Sequence, residues 1–177
     1  MSSHLDEMRV LAIDPDRRGF GYVILEGPDF LVDWGIREVS GPKNAACIRA
    51  VAGLIKRYEP EVLVLEDPSA KGCWRRQRVR RLLEDLTELG RARGLRVRLV
   101  SRANVRRVFA QLGATNKYQV AKAIAERFPE LASRTPPERK RWMNEDSRTA
   151  IFDAAAFALT LFAAKEPKQA PANRDAA

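Results

Sequence analysis

Three acidic residues stand where the surrounding sequence is otherwise apolar. Asp14 directly follows the apolar run 10–13, Glu66 directly follows the run 62–65, and Asp153 is the only charge in the stretch 150–159. A buried carboxylate is costly unless it is paired, hydrogen-bonded or bound to a metal. Three carboxylates brought together would form an oxygen cage for Mg²⁺ or Mn²⁺, and two such ions about 4 Å apart can activate water and stabilise the leaving oxygen in phosphodiester cleavage.

Each of these acids also has a structural explanation. Asp14 and Glu66 are followed by turn-forming residues, and a lone Asp153 can be satisfied by a hydrogen bond. A fourth catalytic candidate, Asp146, precedes Asp153 by seven residues, which is about 10 Å along a helix. Asp146 reaches the same site only if the chain leaves the helix before it and folds back. Otherwise its carboxylate is a helix N-cap.

The segment 71–81 is rich in cations and contains no acid. Such a segment favours contact with a polyanion, and its Trp74 offers a surface on which an unpaired base could stack. The alternative is a solvated helix start, with Trp74 in the core or in a dimer interface. The residues of this segment that we expect to bind nucleic acid are Lys71, Arg75, Arg76 and Arg78.

The elements that must position these residues indicate a mixed α/β sheet. Apolar runs bounded by turn residues predict strands at 10–13, 22–25, 30–39, 62–65 and 95–100. Helical spacing predicts helices at 44–58, within 71–94, and at 103–112, 118–128 and 147–164. We expect a flexible leader at 1–7, one folded domain at 8–164, and a disordered tail at 165–177.

Composition narrows the class of protein further. The chain has 177 residues, with 32 Lys and Arg against 23 Asp and Glu, a net charge of +9 that favours a nucleic-acid partner. Its single histidine, His4, lies in the leader, which excludes catalysis by a histidine base. Two cysteines are too few for a disulfide framework or a zinc cluster, which favours a reduced, cytoplasmic protein. No apolar run approaches the ~20 residues that span a bilayer, so no membrane association is expected.

The same residues resemble the motifs of RuvC-type Holliday junction resolvases, which are members of the ribonuclease H-like superfamily. The stretch 13–22 resembles the first family motif, 64–67 the second, and 153–159 the final Asp-Ala-rich helix, while 101–120 is similar to a family stretch with a Lys-x-Gln-Val signature. The resemblance runs in order through nearly the whole predicted domain.

The resemblance implies an α/β fold with a five-stranded mixed sheet flanked by helices. It also implies a homodimer and Mg²⁺-dependent cleavage of branched DNA, above all of four-way junctions. Metal ligation is placed by the resemblance on Asp14, Glu66 and Asp153, and phosphate contact or charge neutralisation on Lys117.

Three other hypotheses stay open. Asp16 stands where the family usually has Gly, and Ala150 where it commonly has a further Asp, so the chain could bind branched DNA without cutting it. The segment 14–21 also resembles the phosphate loops of ATP-binding actin-like proteins and sugar kinases, although those generally need two such domains. An RNA-processing nuclease of the YqgF type would share the fold and differ in substrate.

Overall fold

The computed structural model describes residues 7–138, 140 and 146–165. Its centre is a five-stranded sheet in the order β3-β2-β1-β4-β5. The strands are β1 (Arg9–Pro15), β2 (Gly19–Glu26), β3 (Phe30–Glu38), β4 (Val62–Glu66) and β5 (Arg96–Val100). The first three form an antiparallel meander, whereas β4 and β5 run parallel to β1. The sheet is therefore mixed.

Within the described residues, five α-helices and a short 3₁₀ helix connect and cover the strands. They are α1 (Lys43–Tyr58), α2 (Gln77–Ala92), α3 (Arg102–Ala110), α4 (Lys117–Arg127), the 3₁₀ helix Pro129–Arg134 and α5 (Thr149–Lys165). The predicted mixed sheet flanked by helices is confirmed. No helix in the described part of the chain is long and apolar enough to cross a membrane.

Successive residues of the central strands face opposite sides of the sheet and build two separate cores. Leu11 and Ile13 of β1 pack with Leu63 and Leu65 of β4 beneath α1 and α2. On the opposite side, the alternate residues of both strands pack against α5, with Phe109 of α3 and Ile124 of α4 in the same core. In each of these two strands the next residue is an acid, Asp14 in β1 and Glu66 in β4.

The predicted leader and tail fall almost entirely outside the described residues. Of the leader only Glu7 is described, and of the tail only Lys165, the last residue of α5. The expected limits of the folded domain therefore stay a prediction.

Candidate active site

Asp14 and Glu66 lie side by side on the face of the sheet that α5 covers. Strands β1 and β4 are paired in parallel up to Ile13 opposite Leu65, so the two acids follow at the same level. They lie two residues after Ala12 and Val64, which face α5, so the two acids face the same side of the sheet. Both acids are almost completely buried, at 3% and 2% exposure. The strand pairing alone thus places two carboxylates at the carboxyl edge of the sheet.

Asp153 comes to the same edge on the first turns of α5. Opposite Asp14 in the sheet stands Gly21, and α5 approaches it so closely that a Cβ at this position would lie 2.4–2.7 Å from atoms of Ala150. A side chain at position 21 would push the helix away. Asp153, one helical turn after Ala150, keeps a side chain that is only 14% exposed. We call Asp14, Glu66 and Asp153 the acid cluster.

Arg75 links the two acids of the sheet. Its side chain is 21% exposed and enters from the loop 67–76 between β4 and α2. It donates from Nε to Glu66 Oε2 at 2.6 Å, from Nη2 to Asp14 Oδ1, and from Nη1 to the carbonyl oxygen of Pro15 at 3.0 Å. All three groups of the guanidinium fork therefore have partners at the ends of β1 and β4.

Arg102 links all three acids. It is the first residue of α3 and follows β5 after one residue. It donates from Nε to Glu66 Oε1 at 2.9 Å, from Nη1 to Asp153 Oδ2 at 3.3 Å, and from Nη2 towards Asp14 Oδ1 at 3.4 Å. Its guanidinium carbon lies 5.5 Å from the centre of the Phe157 ring, which adds a cation–π contact. Arg75 and Arg102 are together called the arginine pair.

The electrostatics of the cluster depend on this arginine pair. Burial raises the pKa of Asp14 to about 7, and it does so against the opposing effect of Arg75, with Asp153 adding to the rise. Burial also opposes the charge on Arg102, but Asp153, Asp14 and Glu66 outweigh it, so the pKa of Arg102 lies above its usual value. The same balance raises the pKa of Arg75. The two guanidinium groups thus offset the repulsion between carboxylates that lie this close together.

Lys117 adds a third cation at the rim of the site. Its Nζ lies 3.2 Å from Asp153 Oδ2, and its side chain is about half exposed. It is the first residue of α4, whose N-cap is Asn116. The structure therefore places the predicted Lys117 next to the acid cluster, where it faces both the carboxylate and solvent.

The other predicted nucleic-acid contacts divide into two groups. Lys71 and Arg76 are exposed, and Trp74 between them is 94% exposed. Arg75 instead points inwards, as described, and Arg78 donates to Asn44 Oδ1 at 3.1 Å and to the carbonyl oxygen of Asp16 at 3.1 Å. The cations of this segment that were predicted to bind nucleic acid thus point in two directions, and their binding role stays a prediction.

Asp146 lies in the turn before α5 and is paired locally. Its Oδ1 accepts from the backbone and the Nε of Arg148, both at 2.9 Å, and its Oδ2 accepts from Nη2 of the same residue at 2.5 Å. The hydrogen bonds from Arg148 hold the pKa of Asp146 below its usual value. The catalytic role predicted for Asp146 stays a prediction.

The residue types of the acid cluster fit Mg²⁺ or Mn²⁺, because carboxylate oxygens are the ligands these hard cations take. The positions of the side chains do not yet form a cage. Among the described residues, no group of three or more acidic, histidine or cysteine side chains has the spacing that holds a metal ion. The arginine pair explains this spacing, since guanidinium groups lie between the carboxylates.

Sequence reasoning did not assign Arg102 to the site. A signal was available, because a cation at the first position of a helix is unfavourable next to the positive end of the helix dipole. Such a residue one position after the end of a parallel strand points to nearby acids. For Arg75 no comparable signal exists, since it is one cation among several in the same segment.

The fold is similar to those of several solved structures. The structure of Thermus thermophilus RuvC superposes with a TM-score of 0.64 at 19% sequence identity, covering 89% of this chain and 95% of that one. The chain has the RuvC fold. RuvC of the same organism in complex with a Holliday junction substrate gives a TM-score of 0.62 at 18% identity, over 89% of this chain and 95% of that one. The yeast mitochondrial Holliday junction resolvase Ydc2 gives 0.51 at 15% identity, over 92% and 82% of the two chains.

Sequence comparison gives no such match: no family model matches the chain, and neither does any curated protein. The resemblance to RuvC-type resolvases that the motifs predicted is thus confirmed at the level of the fold.

Proposed function

We propose that this chain is an endonuclease that cleaves phosphodiester bonds in branched DNA, with four-way junctions as its principal substrate. The observation that carries the proposal is the meeting of Asp14, Glu66 and Asp153 from two strands and a helix at one edge of a RuvC-like sheet. Buried acids of this kind are costly to fold, and they concentrate at functional sites. The RuvC fold and the net charge of +9 support DNA as the substrate.

Asp14, Glu66 and Asp153 are the residues that would hold Mg²⁺, or Mn²⁺ in its place. When bound, such ions supply an activated water and charge stabilisation at the scissile phosphate. The chain's own residues prepare this step in two ways. Burial under α5 excludes bulk water from the acids, and Lys117 offers a half-exposed ammonium group beside Asp153 that can meet a phosphate oxygen.

DNA contact is proposed for the exposed part of the loop 67–76. Lys71 and Arg76 would meet backbone phosphates, and Trp74 would stack on a base that is unpaired at a branch point. Arg75 and Arg78 could join them only after leaving their present partners. A homodimer would suit a four-way junction, because two strands must be cut symmetrically about a two-fold axis.

The test is a panel of end-labelled four-way junctions, flaps, duplexes, single strands and matched RNA substrates, incubated without a divalent cation, with Mg²⁺ and with Mn²⁺. We expect paired cuts in the four-way junction that depend on the divalent cation. Cleavage of RNA alone would instead favour a YqgF-type activity. An absence of cuts in every DNA substrate, with both Mg²⁺ and Mn²⁺, would refute the nuclease proposal.

A second candidate is a branched-DNA-binding protein that does not cleave. The observation in its favour is the arginine pair, which already satisfies the acid cluster with two positive charges. In this case the cluster is a structural ion-pair network, and the junction is bound without hydrolysis. The same panel, read by mobility shift as well as by cleavage, distinguishes the two candidates.

A further inference from the structure

Arg75 connects an exposed loop to the acid cluster. Its neighbour Trp74 is 94% exposed and Arg76 is exposed, whereas the Arg75 side chain is only 21% exposed. The four residues before α2 belong to neither a helix nor a strand. A change in the path of this loop would therefore move the Arg75 guanidinium without disturbing either core.

The atoms that Arg75 engages are those that a metal ion would need. Its two carboxylate partners are Asp14 and Glu66, which come from adjacent parallel strands and face the same side. A divalent cation bound to the Glu66 and Asp14 oxygens that Arg75 holds would have to displace the Arg75 guanidinium, whereas Arg102 reaches the same two oxygens only at 3.4 Å. Arg75 and a metal ion are therefore alternative counter-ions for the same carboxylates.

Arg102 is attached differently. It begins α3, its guanidinium lies over the Phe157 ring, and its contacts extend to all three acids. The backbone of Arg102 is therefore part of a regular helix, whereas that of Arg75 lies in a loop. Of the arginine pair, Arg75 is thus the member that a movement of the loop 67–76 would displace.

We propose that Arg75 competes with the divalent cation for Asp14 and Glu66, and that DNA binding to the adjacent residues Trp74 and Arg76 draws Arg75 out of the acid cluster. The proposal rests on the proposed function, because it concerns how that site is regulated. It makes the free protein a poor binder of divalent cations and makes the DNA complex a good one. Cleavage would then be confined to DNA that engages the loop.

The first experiment measures Mg²⁺ binding to the full chain without DNA. The readout is the midpoint of thermal unfolding as Mg²⁺ is titrated, for the wild type and Arg75→Ala. We expect the variant to be less stable than the wild type without Mg²⁺ and to regain stability at a half-saturating Mg²⁺ concentration at least about tenfold lower. An equal half-saturating concentration for the two proteins would overturn the proposal.

Two further variants keep this result interpretable. Arg9→Ala is the matched control, because Arg9 pairs with Glu26 at the opposite edge of the sheet, and its Mg²⁺ response should equal that of the wild type. Arg75→Lys keeps one charge but cannot span both acids with a planar fork. It should give an intermediate half-saturating concentration, and it serves in place of Arg75→Ala if that variant does not fold.

The second experiment follows Arg75 itself by NMR of ¹⁵N-labelled protein. The Nε–H of Arg75, donated to Glu66 at 2.6 Å, should give a slowly exchanging resonance that disappears in Arg75→Lys. Adding a four-way junction without metal should shift this resonance or make it exchange rapidly. A resonance that saturating junction leaves unchanged would show that DNA does not draw Arg75 out.

The outcomes separate this proposal from the proposed function. If the wild type cuts junctions but Arg75→Ala has an unchanged Mg²⁺ requirement for stabilisation, the competition is wrong and the nuclease stands. If Arg75→Ala binds Mg²⁺ more tightly but no substrate is cut, the competition stands and the nuclease is wrong.

Discussion

Charged side chains are arranged differently at the two ends of the central strands. We call the end where β1, β4 and β5 begin the amino edge of the sheet, and the end where they finish the carboxyl edge. At the amino edge, Arg9 pairs with Glu26 at 2.6 Å and Arg96 pairs with Glu61 at 3.2 Å, with side chains that are 38–44% exposed. At the carboxyl edge, the acids Asp14, Glu66 and Asp153 are 2–14% exposed and share two arginines. The amino edge thus has two exposed ion pairs, and the carboxyl edge has a buried network of acids and arginines.

This difference indicates which edge has a function beyond folding. An exposed pair contributes only about 0–1 kcal/mol, and solvent takes over its role when it is lost. A buried network of ion pairs often stabilises a fold no more than apolar residues of the same size would, because removing the charges from water costs free energy. Its presence at the edge where β1, β4 and α5 meet therefore points to a chemical role.

Substitutions at the two edges should differ most in their effect on junction cleavage. Asp14→Asn removes one proposed metal ligand, and we expect junction cleavage to fall by at least ~10²-fold while junction binding is retained. Since burial already raises the pKa of Asp14 to about 7, a neutral side chain of the same shape should leave the fold intact. The measurement is a single-turnover cleavage assay, with a mobility shift on the same protein.

Two other carboxylates serve as controls for Asp14. Glu26→Gln, at the amino edge, should leave cleavage unchanged. Asp146→Asn should lower it less than Asp14→Asn does, because both Asp146 oxygens are paired with Arg148. If Asp146→Asn were as inactive as Asp14→Asn, Asp146 would have to leave Arg148 and join the acid cluster in the DNA complex.

Stability should show the next largest contrast. Arg102→Ala leaves the buried acids short of one counter-ion, and we expect the free energy of unfolding to fall by about 3 kcal/mol. Arg96→Ala breaks an exposed pair at the amino edge and should cost no more than about 1 kcal/mol. Urea denaturation in a buffer free of divalent cations gives both values. Similar losses for the two variants would remove the distinction between the edges.

A smaller effect is expected from the contact that brings α5 to the carboxyl edge. Gly21→Ala would place a methyl group within 2.4–2.7 Å of Ala150 atoms, and we expect it to destabilise the protein by about 1–3 kcal/mol. Because α5 must move, Asp153 should shift relative to Asp14 and cleavage should also fall. Gly53→Ala is the control, since nothing lies within 4 Å of a Cβ at that position. Equal stability of the two variants would argue against the close approach.

The smallest effect concerns the exposed loop. Lys71→Ala and Arg76→Ala should each weaken junction binding and reduce the slope of log affinity against log salt concentration by about 0.9. Arg93→Ala, an exposed cation at the end of α2, is the comparison and should leave the slope unchanged. Fluorescence anisotropy over a series of salt concentrations measures all three.

Most of the fold could be predicted from the sequence because the periodicity is clear. The continuous apolar run 62–65 is indeed a buried parallel strand, and the helical spacing of Val79, Leu82, Leu83 and Leu86 marks the buried face of α2. The position of Asp14 and Glu66 at strand ends was enough to expect their meeting, since parallel strands end at the same edge. The 3₁₀ helix at 129–134 gave no periodic signal, because it is only six residues long and has one buried side chain, Leu131.

The partners of the acids could not be predicted in the same way. An arginine side chain is long enough to reach from one strand to its neighbour. Which acid it contacts therefore depends on the path of the loop that carries it, and residue spacing in the sequence does not give that path. Arg75 and Arg76 are neighbours of identical type, yet one enters the acid cluster and the other is exposed. The partner of Asp146 was not predicted either. It is Arg148, two residues later in the turn before α5.

The position of α5 at the end of the described fold has a consequence for synthesis. Strands β1 and β4 leave the ribosome with Asp14 and Glu66 long before Asp153 has been translated. Until α5 docks, one of the two cores is uncovered and the third acid is missing. A chain made only as far as β5 would therefore be unable to assemble the acid cluster, and any hydrolytic competence would arise only after α5 has been translated.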